Sequence, residues 1–173
     1  EDKPLLGRRV VVYGGGNTAI DVARSVKRMG AESIIVYRRT RDKAPAHDFE
    51  IEEALQEGVM VKWLSTIKQA GMGDDNRQIT IEKMALDDKG FPQPTGEFET
   101  LESDSLVLAL GQDVDLSLLN DVPGLEIKDG VVQVGSNMMT GHSGIFAGGD
   151  MVPSERTVTV GVGHGKKAAR HID

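Results

Sequence analysis

The sequence predicts an α/β fold, a parallel sheet with helices between its strands, interrupted by a small antiparallel β-meander. Three observations carry this expectation. An apolar run, Val10 to Val12, enters a glycine cluster at Gly14 and leaves it with helical periodicity. Two further runs, Ser33–Arg38 and Val59–Trp63, return as strands after segments long enough to be helices. From Gly71 onward the texture changes to short alternating runs between turn clusters.

The first strand leads into Gly14, Gly15, Gly16, Asn17, Thr18 and Ala19, where Gly14, Gly16 and Ala19 form the spacing G-x-G-x-x-A. This is the dinucleotide fingerprint. Gly14 permits the tight turn, Gly16 carries no Cβ to obstruct a pyrophosphate, and Ala19 lets helix and strand pack closely. A helix beginning near Asn17 aims its unpaired N–H groups and positive dipole end at such an anion. Ile20, Ala23, Val26 and Met29 recur near helical spacing, while Arg24, Lys27 and Arg28 gather toward the carboxyl end. Gly30 is expected to stop this helix, and the β-branched run from Ser33 completes a βαβ unit.

The residues just after the second strand select between nicotinamide cofactors. An NAD site places Asp or Glu there to accept from the ribose 2′-hydroxyl. No carboxylate occurs between Ser33 and Arg41, and Arg38, Arg39 and Arg41 stand at that position instead. A guanidinium holds a phosphate through two parallel charge-assisted hydrogen bonds. The expected cofactor is NADP(H), against the alternative of a merely solvated basic loop.

His47–Glu57 reads as a second helix with an acidic and an apolar face, ended by Gly58 and able to cover one face of the sheet. Val59–Trp63 is the third strand, and Trp63 reads as packing. Gly73-Asp-Asp-Asn76 and Asp87-Asp-Lys-Gly90 are turn clusters flanking Gln78–Glu82, which with Glu97–Leu101 reads as the meander. Ser105–Leu110 is a continuous apolar run ending at Gly111, the pattern of a parallel strand buried on both faces. In the last sixty residues or so, Val131–Val134 and Gly144–Ala147 read as short strands and Val158–Ile172 as a helix. Between them lies Gly148-Gly149-Asp150, an aspartate placed to accept from ligand hydroxyls where no side chain blocks the approach; a helix-capping turn is the alternative.

The chain has 173 residues, room for one buried domain and part of another. Its net charge of −7 argues against nucleic acid, no apolar span suits a membrane helix, and the absence of cysteine excludes disulfides and thiolate metal sites, with a cytoplasmic setting as the default. The Gly161–Lys167 segment fails the phosphate-loop pattern, since Val160 stands at the first glycine and Lys167 at the hydroxyl. His164 and His171 lie two helical turns apart, roughly 10 Å, too far to share a metal ion. Met138 and Met139 read as packing.

Tyr13–Asp21, Val36–Arg41, Leu108–Gln112, Gly144–Asp150 and Gly165–Ala169 together resemble the small-subunit family of NADPH-dependent glutamate synthase, within the two-dinucleotide-domain flavoprotein superfamily. The resemblance covers essentially the whole chain. It implies a Rossmann-like NADPH domain, residues 4–110, inserted into an FAD domain of which 111–173 is the C-terminal portion. It further implies that Gly111, Gly149, Asp150, Thr157 and Val158 serve FAD, with Asp150 at the ribityl and phosphate region and Thr157-Val158 near the flavin pyrimidine. The implied reaction is hydride transfer from NADPH to FAD, with electrons passing onward to an iron–sulfur domain or a larger synthase or reductase subunit.

The family's first glycine fingerprint and its cysteine-rich cluster segment do not occur here, so the chain reads as a piece of a longer enzyme that binds NADPH without turning it over. Because cofactors carry such transfer, no catalytic acid or base and no metal is assigned. Two other readings stay open: a non-catalytic NADP(H)-sensing or interaction module, and a flavin-free NADP(H) dehydrogenase, for which residues 111–173 do not resemble a substrate domain.

Overall fold

A computed structural model describes residues 6–71 and 77–172. The chain divides into two compact units between Gly111 and Gln112.

In the first unit, β1 (Arg9–Tyr13), α1 (Asn17–Arg28), β2 (Glu32–Val36), α2 (Asp48–Gln56) and β3 (Met60–Lys62) occur in the predicted alternation. Next come β4 (Ser65–Ala70), β5 (Gln78–Leu86) and β6 (Pro92–Glu102), a separate antiparallel sheet, and then β7 (Ser105–Leu108). The strands β3-β2-β1-β7 pair in that order, all parallel, with Val11 opposite both Ile34 and Leu106.

The parallel sheet is covered on both faces, so β1 reads as an unbroken apolar run. Val10, Val12 and Ile35 pack with Ala19, Ile20, Ala23 and Val26 of α1 and with Ile51 and Ala54 of α2. Val11, Ile34 and Val36 point the other way, onto Ile79 and Ile81 of β5 and Leu101 of β6. Burying each of the valine, leucine and isoleucine side chains contributes about 1.5–3 kcal/mol. Helix α1 stops because Gly30 takes φ +93°, and Gly58, at φ +85°, succeeds the end of α2 in the same way.

The two helices are tied at their carboxyl ends by charge. Arg24 reaches Glu57 at 2.7 Å and Glu53 at 2.8 Å, and Arg28 joins Glu57 at 2.6 Å. Hydrogen bonds from Arg24 and then Arg28 pull the Glu57 carboxyl from its ordinary 4.5 down to about 2. A depressed folded-state value means that the stabilisation is present above the unfolded value and is lost as pH falls from about 4.5 through about 2. Thermal denaturation across that window should therefore show a shallower acid loss for Glu57→Gln than for the parent chain; parallel curves would refute the tie.

Several boundaries differ from the sequence expectation. Strand β2 ends at Val36, so Tyr37 and Arg38 lie beyond it. Strand β4 carries no clear apolar alternation and comes after Leu64, which turns the chain at φ +48° without the glycine that would announce a turn. The Ser105–Leu110 run has the pattern of a strand buried on both faces, yet β7 is an edge strand, with Leu108 65% and Leu110 62% exposed. Gly73-Asp-Asp-Asn76 lies outside the described residues.

The second unit has a small core of Leu116, Val132, Met138, Ala147 and Val152. Strands β8 (Ile127–Lys128) and β9 (Val131–Val132) form a hairpin through Asp129 and Gly130, at φ +53° and +75°. Residues Gly144–Ala147, expected as a strand, make only a single bridge, between Met139 and Phe146, flanked by hydrogen bonds from the Thr140 N–H to the Ile145 carbonyl at 2.8 Å and from the Ala147 N–H to the Met138 carbonyl at 3.0 Å. Helix α3 spans Val158–Ala169 and so stops short of Ile172. Among the described residues no helix is long and apolar enough to cross a membrane.

Candidate functional site

The glycine turn sits at the carboxyl end of β1, where parallel α/β sheets present their ligand crevice. Its three glycines are required for three different reasons. At Gly14, φ is +153° and a Cβ would strike the Ala109 carbonyl just beyond β7. At Gly15, a Cβ would come within 2.5 Å of the Tyr37 ring. At Gly16, a Cβ would meet nothing within 4 Å, so only that glycine faces open space.

Gly16 is the N-cap of α1 and supplies no side-chain cap, while its carbonyl accepts from Ala19 and Ile20 at 2.9 and 3.2 Å. Among the described residues, the N–H groups of Gly15, Gly16, Asn17 and Thr18 have no hydrogen-bond partner. Four adjacent donors at the positive end of a helix are the arrangement that can receive an anion. Ala19 is fully buried and serves the close helix–strand packing that its position in the motif implies. The Asn17 side chain accepts from the His47 N–H at 3.1 Å, and the Gly15 carbonyl from the Ala46 N–H at 3.1 Å, so the segment leading into α2 is laced to the turn.

The arginine loop leaves the end of the neighbouring strand, β2. Arg38 is exposed and Arg39 half-buried, and neither forms an ion pair among the described residues. Arg41 differs: its guanidinium is turned onto α2, at 2.8 Å from Asp48 and 3.1 Å from Glu52, and those hydrogen bonds push its pKa further up. Arg38 and Arg39 thus follow the strand next to the one that enters the glycine turn, with no ion-pair partner among the described residues, while Arg41 is engaged on α2. Asp42, the first carboxylate after the arginines, is held below the usual range by the Thr40 hydroxyl and then Lys43.

In the second unit Gly149–Met151 forms a single 3-10 turn, with Gly149 at φ +71° and Asp150 exposed. A Cβ on Gly148 would come within 2.8 Å of the His164 Cβ, and the Gly149 N–H donates to His164 Nδ1 at 3.1 Å. His164 therefore docks the Gly-Gly-Asp segment onto α3, a role that no sequence motif announces. Thr157 caps α3 by accepting from the Val160 N–H at 3.2 Å, and Val158 beside it is 85% exposed. Gly111, at φ +92°, closes the first unit with open space where a Cβ would stand.

The family model described as pyridine nucleotide-disulphide oxidoreductase matches residues 1–165. The chain belongs to this family. Among curated members, the NADPH-Fe(3+) oxidoreductase subunit beta of Geobacter sulfurreducens is 35% identical over 96% of the chain and 30% of its own length. The NADP(+)-dependent formate dehydrogenase subunit beta of Moorella thermoacetica is 38% identical over 98% of the chain and 25% of its own length. The glutamate synthase [NADPH] small chain of Azospirillum brasilense is 33% identical over 96% and 36% respectively, as the resemblance read from the motifs implies. The chain thus spans about a quarter to a third of the length of these relatives. The pyridine nucleotide-disulphide oxidoreductase fold is also that of the solved T. acidophilum thioredoxin reductase, with TM-score 0.81 at 23% identity, covering 96% of this chain and 52% of that one. Lactococcus lactis thioredoxin reductase superposes with TM-score 0.79 at 25% identity, with the same coverage.

Proposed function

We propose that the glycine turn and arginine loop form an NADPH site, and that the chain is the NADPH-binding region of a flavin-dependent oxidoreductase. The observation that carries this reading is the pairing of four unsatisfied backbone N–H groups with two uncommitted arginines at neighbouring strand ends. The N–H groups of Gly15 to Thr18 would hold the pyrophosphate, and Arg38 and Arg39 the 2′-phosphate. Arg41 would act one step back, fixing the first turn of α2 through Asp48 and Glu52. The names of the NADPH-linked relatives support this assignment.

Within the same proposal, residues 4–110 form the NADPH-binding domain and 111–173 the C-terminal portion of an FAD-binding domain. The second unit fits that group in two respects: Asp150 is exposed beside glycines, and the first turn of α3 is open to solvent at Val158. Asp150 would accept from the ribityl hydroxyls, and the α3 N-terminus after Thr157 would favour negative charge on the flavin pyrimidine. The chemistry supplied when both nucleotides are bound is hydride transfer from nicotinamide to flavin. The protein's own share is to bind and orient, and electrons would pass onward to an iron–sulfur domain or a larger synthase or reductase subunit in the cytoplasm.

Calorimetric titration of the chain should find NADPH bound at least about tenfold tighter than NADH, one charge-assisted hydrogen bond being enough for that ratio. Equal affinities would overturn the 2′-phosphate assignment. In the full-length protein NADPH should bleach the flavin absorbance. A flavin left oxidised would favour a nucleotide-sensing module instead.

A further inference from the structure

Tyr37 contacts both segments of the candidate NADPH site, the glycine turn at Gly15 and the arginine loop at Lys43. Its backbone is fixed first: the N–H donates to the Lys62 carbonyl of β3 at 3.0 Å, and the carbonyl accepts from the Ser65 N–H at 3.0 Å. The ring lies against the glycine turn, closely enough that Gly15 has no room for a Cβ. It also meets Trp63 edge to face, with centroids 6.1 Å apart and planes at 83°. The hydroxyl donates to the carbonyl of Lys43, which follows the arginines in the chain, at 2.9 Å.

That last bond closes the segment Arg38–Lys43 into a loop. Three further backbone bonds hold it: Lys43 N–H to the Thr40 carbonyl and Leu64 N–H to the Arg39 carbonyl, both at 3.1 Å, and Ala44 N–H to the Arg41 carbonyl at 3.0 Å. One side chain thus joins the glycine turn, the arginine loop and the chain after β3.

We infer that Tyr37 is a positioning residue for NADPH selectivity, setting the separation between the Gly15-Gly16 cradle and the Arg38-Arg39 grip. The inference rests on the NADPH reading given above. Within one nucleotide the pyrophosphate and the 2′-phosphate are joined through a ribose, so both can be held at once only if the protein matches their spacing. Arginine side chains are long and lose rotamer freedom on binding, and a loop ordered beforehand spares part of that loss. NADH has no 2′-phosphate. The tie from the hydroxyl to Lys43 therefore matters for NADPH and not for NADH, whereas the ring packing under Gly15 matters for both.

Tyr37→Phe separates these roles, because it keeps the ring and removes only the tie. The full chain carrying it should be titrated with NADPH, NADH and 2′,5′-ADP, the last reporting on the phosphate grip without the nicotinamide. NADPH and 2′,5′-ADP are expected to bind about fivefold more weakly, the worth of one hydrogen bond, with NADH unchanged and faster amide exchange across Arg39–Lys43. Unchanged NADPH and 2′,5′-ADP affinities would overturn the inference whatever the exchange shows. Equal losses for NADPH and NADH would also overturn it, making Tyr37 a prop for the glycine turn alone. If the parent chain itself does not distinguish NADPH from NADH, the site reading fails and takes the inference with it. A parent preference that survives intact in Tyr37→Phe defeats the inference and leaves the site reading standing.

Discussion

Replacing Arg38 and Arg39 together by alanine is expected to weaken NADPH binding by roughly 100-fold and to leave NADH binding within about twofold of the parent. The size reflects the partners lost. A hydrogen bond to a charged group is worth about 1.5–3 kcal/mol, and partial exposure of these side chains brings two such contacts to the lower end of the summed range, near two decades of affinity. Because neither guanidinium has an ion-pair partner among the described residues, their removal strands no carboxylate and the fold should be unaffected. Arg41→Ala is the informative companion. It leaves Asp48 and Glu52 unpaired at the start of α2 and should change NADPH affinity far less than the double substitution. Titration of the variants with both nucleotides decides the matter, and a double variant that keeps its NADPH preference would remove the basis for the cofactor assignment.

The second large effect separates glycines that look alike in the sequence. Gly14→Ala should destabilise the first unit by about 3–5 kcal/mol, since it combines a strained φ with a Cβ driven into backbone. The group it meets is the Ala109 carbonyl, which has no rotamer in which to retreat. Gly16→Ala should cost under about 1 kcal/mol in stability, because its φ of −90° suits any residue and its Cβ meets nothing. The same methyl group would occupy the side from which a pyrophosphate approaches, so NADPH and NADH binding should both fall by at least about tenfold. Denaturant unfolding and nucleotide titration of the pair give the test: a stable Gly16→Ala chain with undiminished binding would show that the open side of the turn is not the nucleotide's.

Much of this site can be read in the sequence because its determinants are local. The glycine spacing, the helix behind it and the arginines after β2 all lie within one βαβ unit, and α1 starts at Asn17 as expected. The division of labour among Gly14, Gly15 and Gly16 is not legible, because two of the three reasons come from Tyr37 and Ala109, one of them far along the chain. The engagement of Arg41 depends on where α2 begins relative to the loop, which periodicity places only to within a residue or two. The β8–β9 hairpin does carry a signal, Asp129-Gly130, the two-residue turn in which both positions take positive φ; strands this short show no alternation to accompany it. The exposure of β7 is hidden for the opposite reason. An apolar run reports that a strand can be buried, not whether it stands at the sheet's edge.

The order β3-β2-β1-β7 puts consecutive parallel strands at opposite margins of their sheet, so the chain between them must traverse its whole width, about 14 Å at the usual strand spacing. The antiparallel β4-β5-β6 sheet makes that journey, and so acts as a crossover connection as well as a cover for the core. Its continuity has a local meaning at the glycine turn. Ala109, against which Gly14 rests, is delivered by the strand that this crossover brings home. With the chain intact, β7 returns to β1 as an intramolecular event at high effective concentration; after a single cut in the meander it would be held by non-covalent pairing alone. A protease nick on the far side of the sheet is thereby linked to the shape of the glycine turn through chain connectivity.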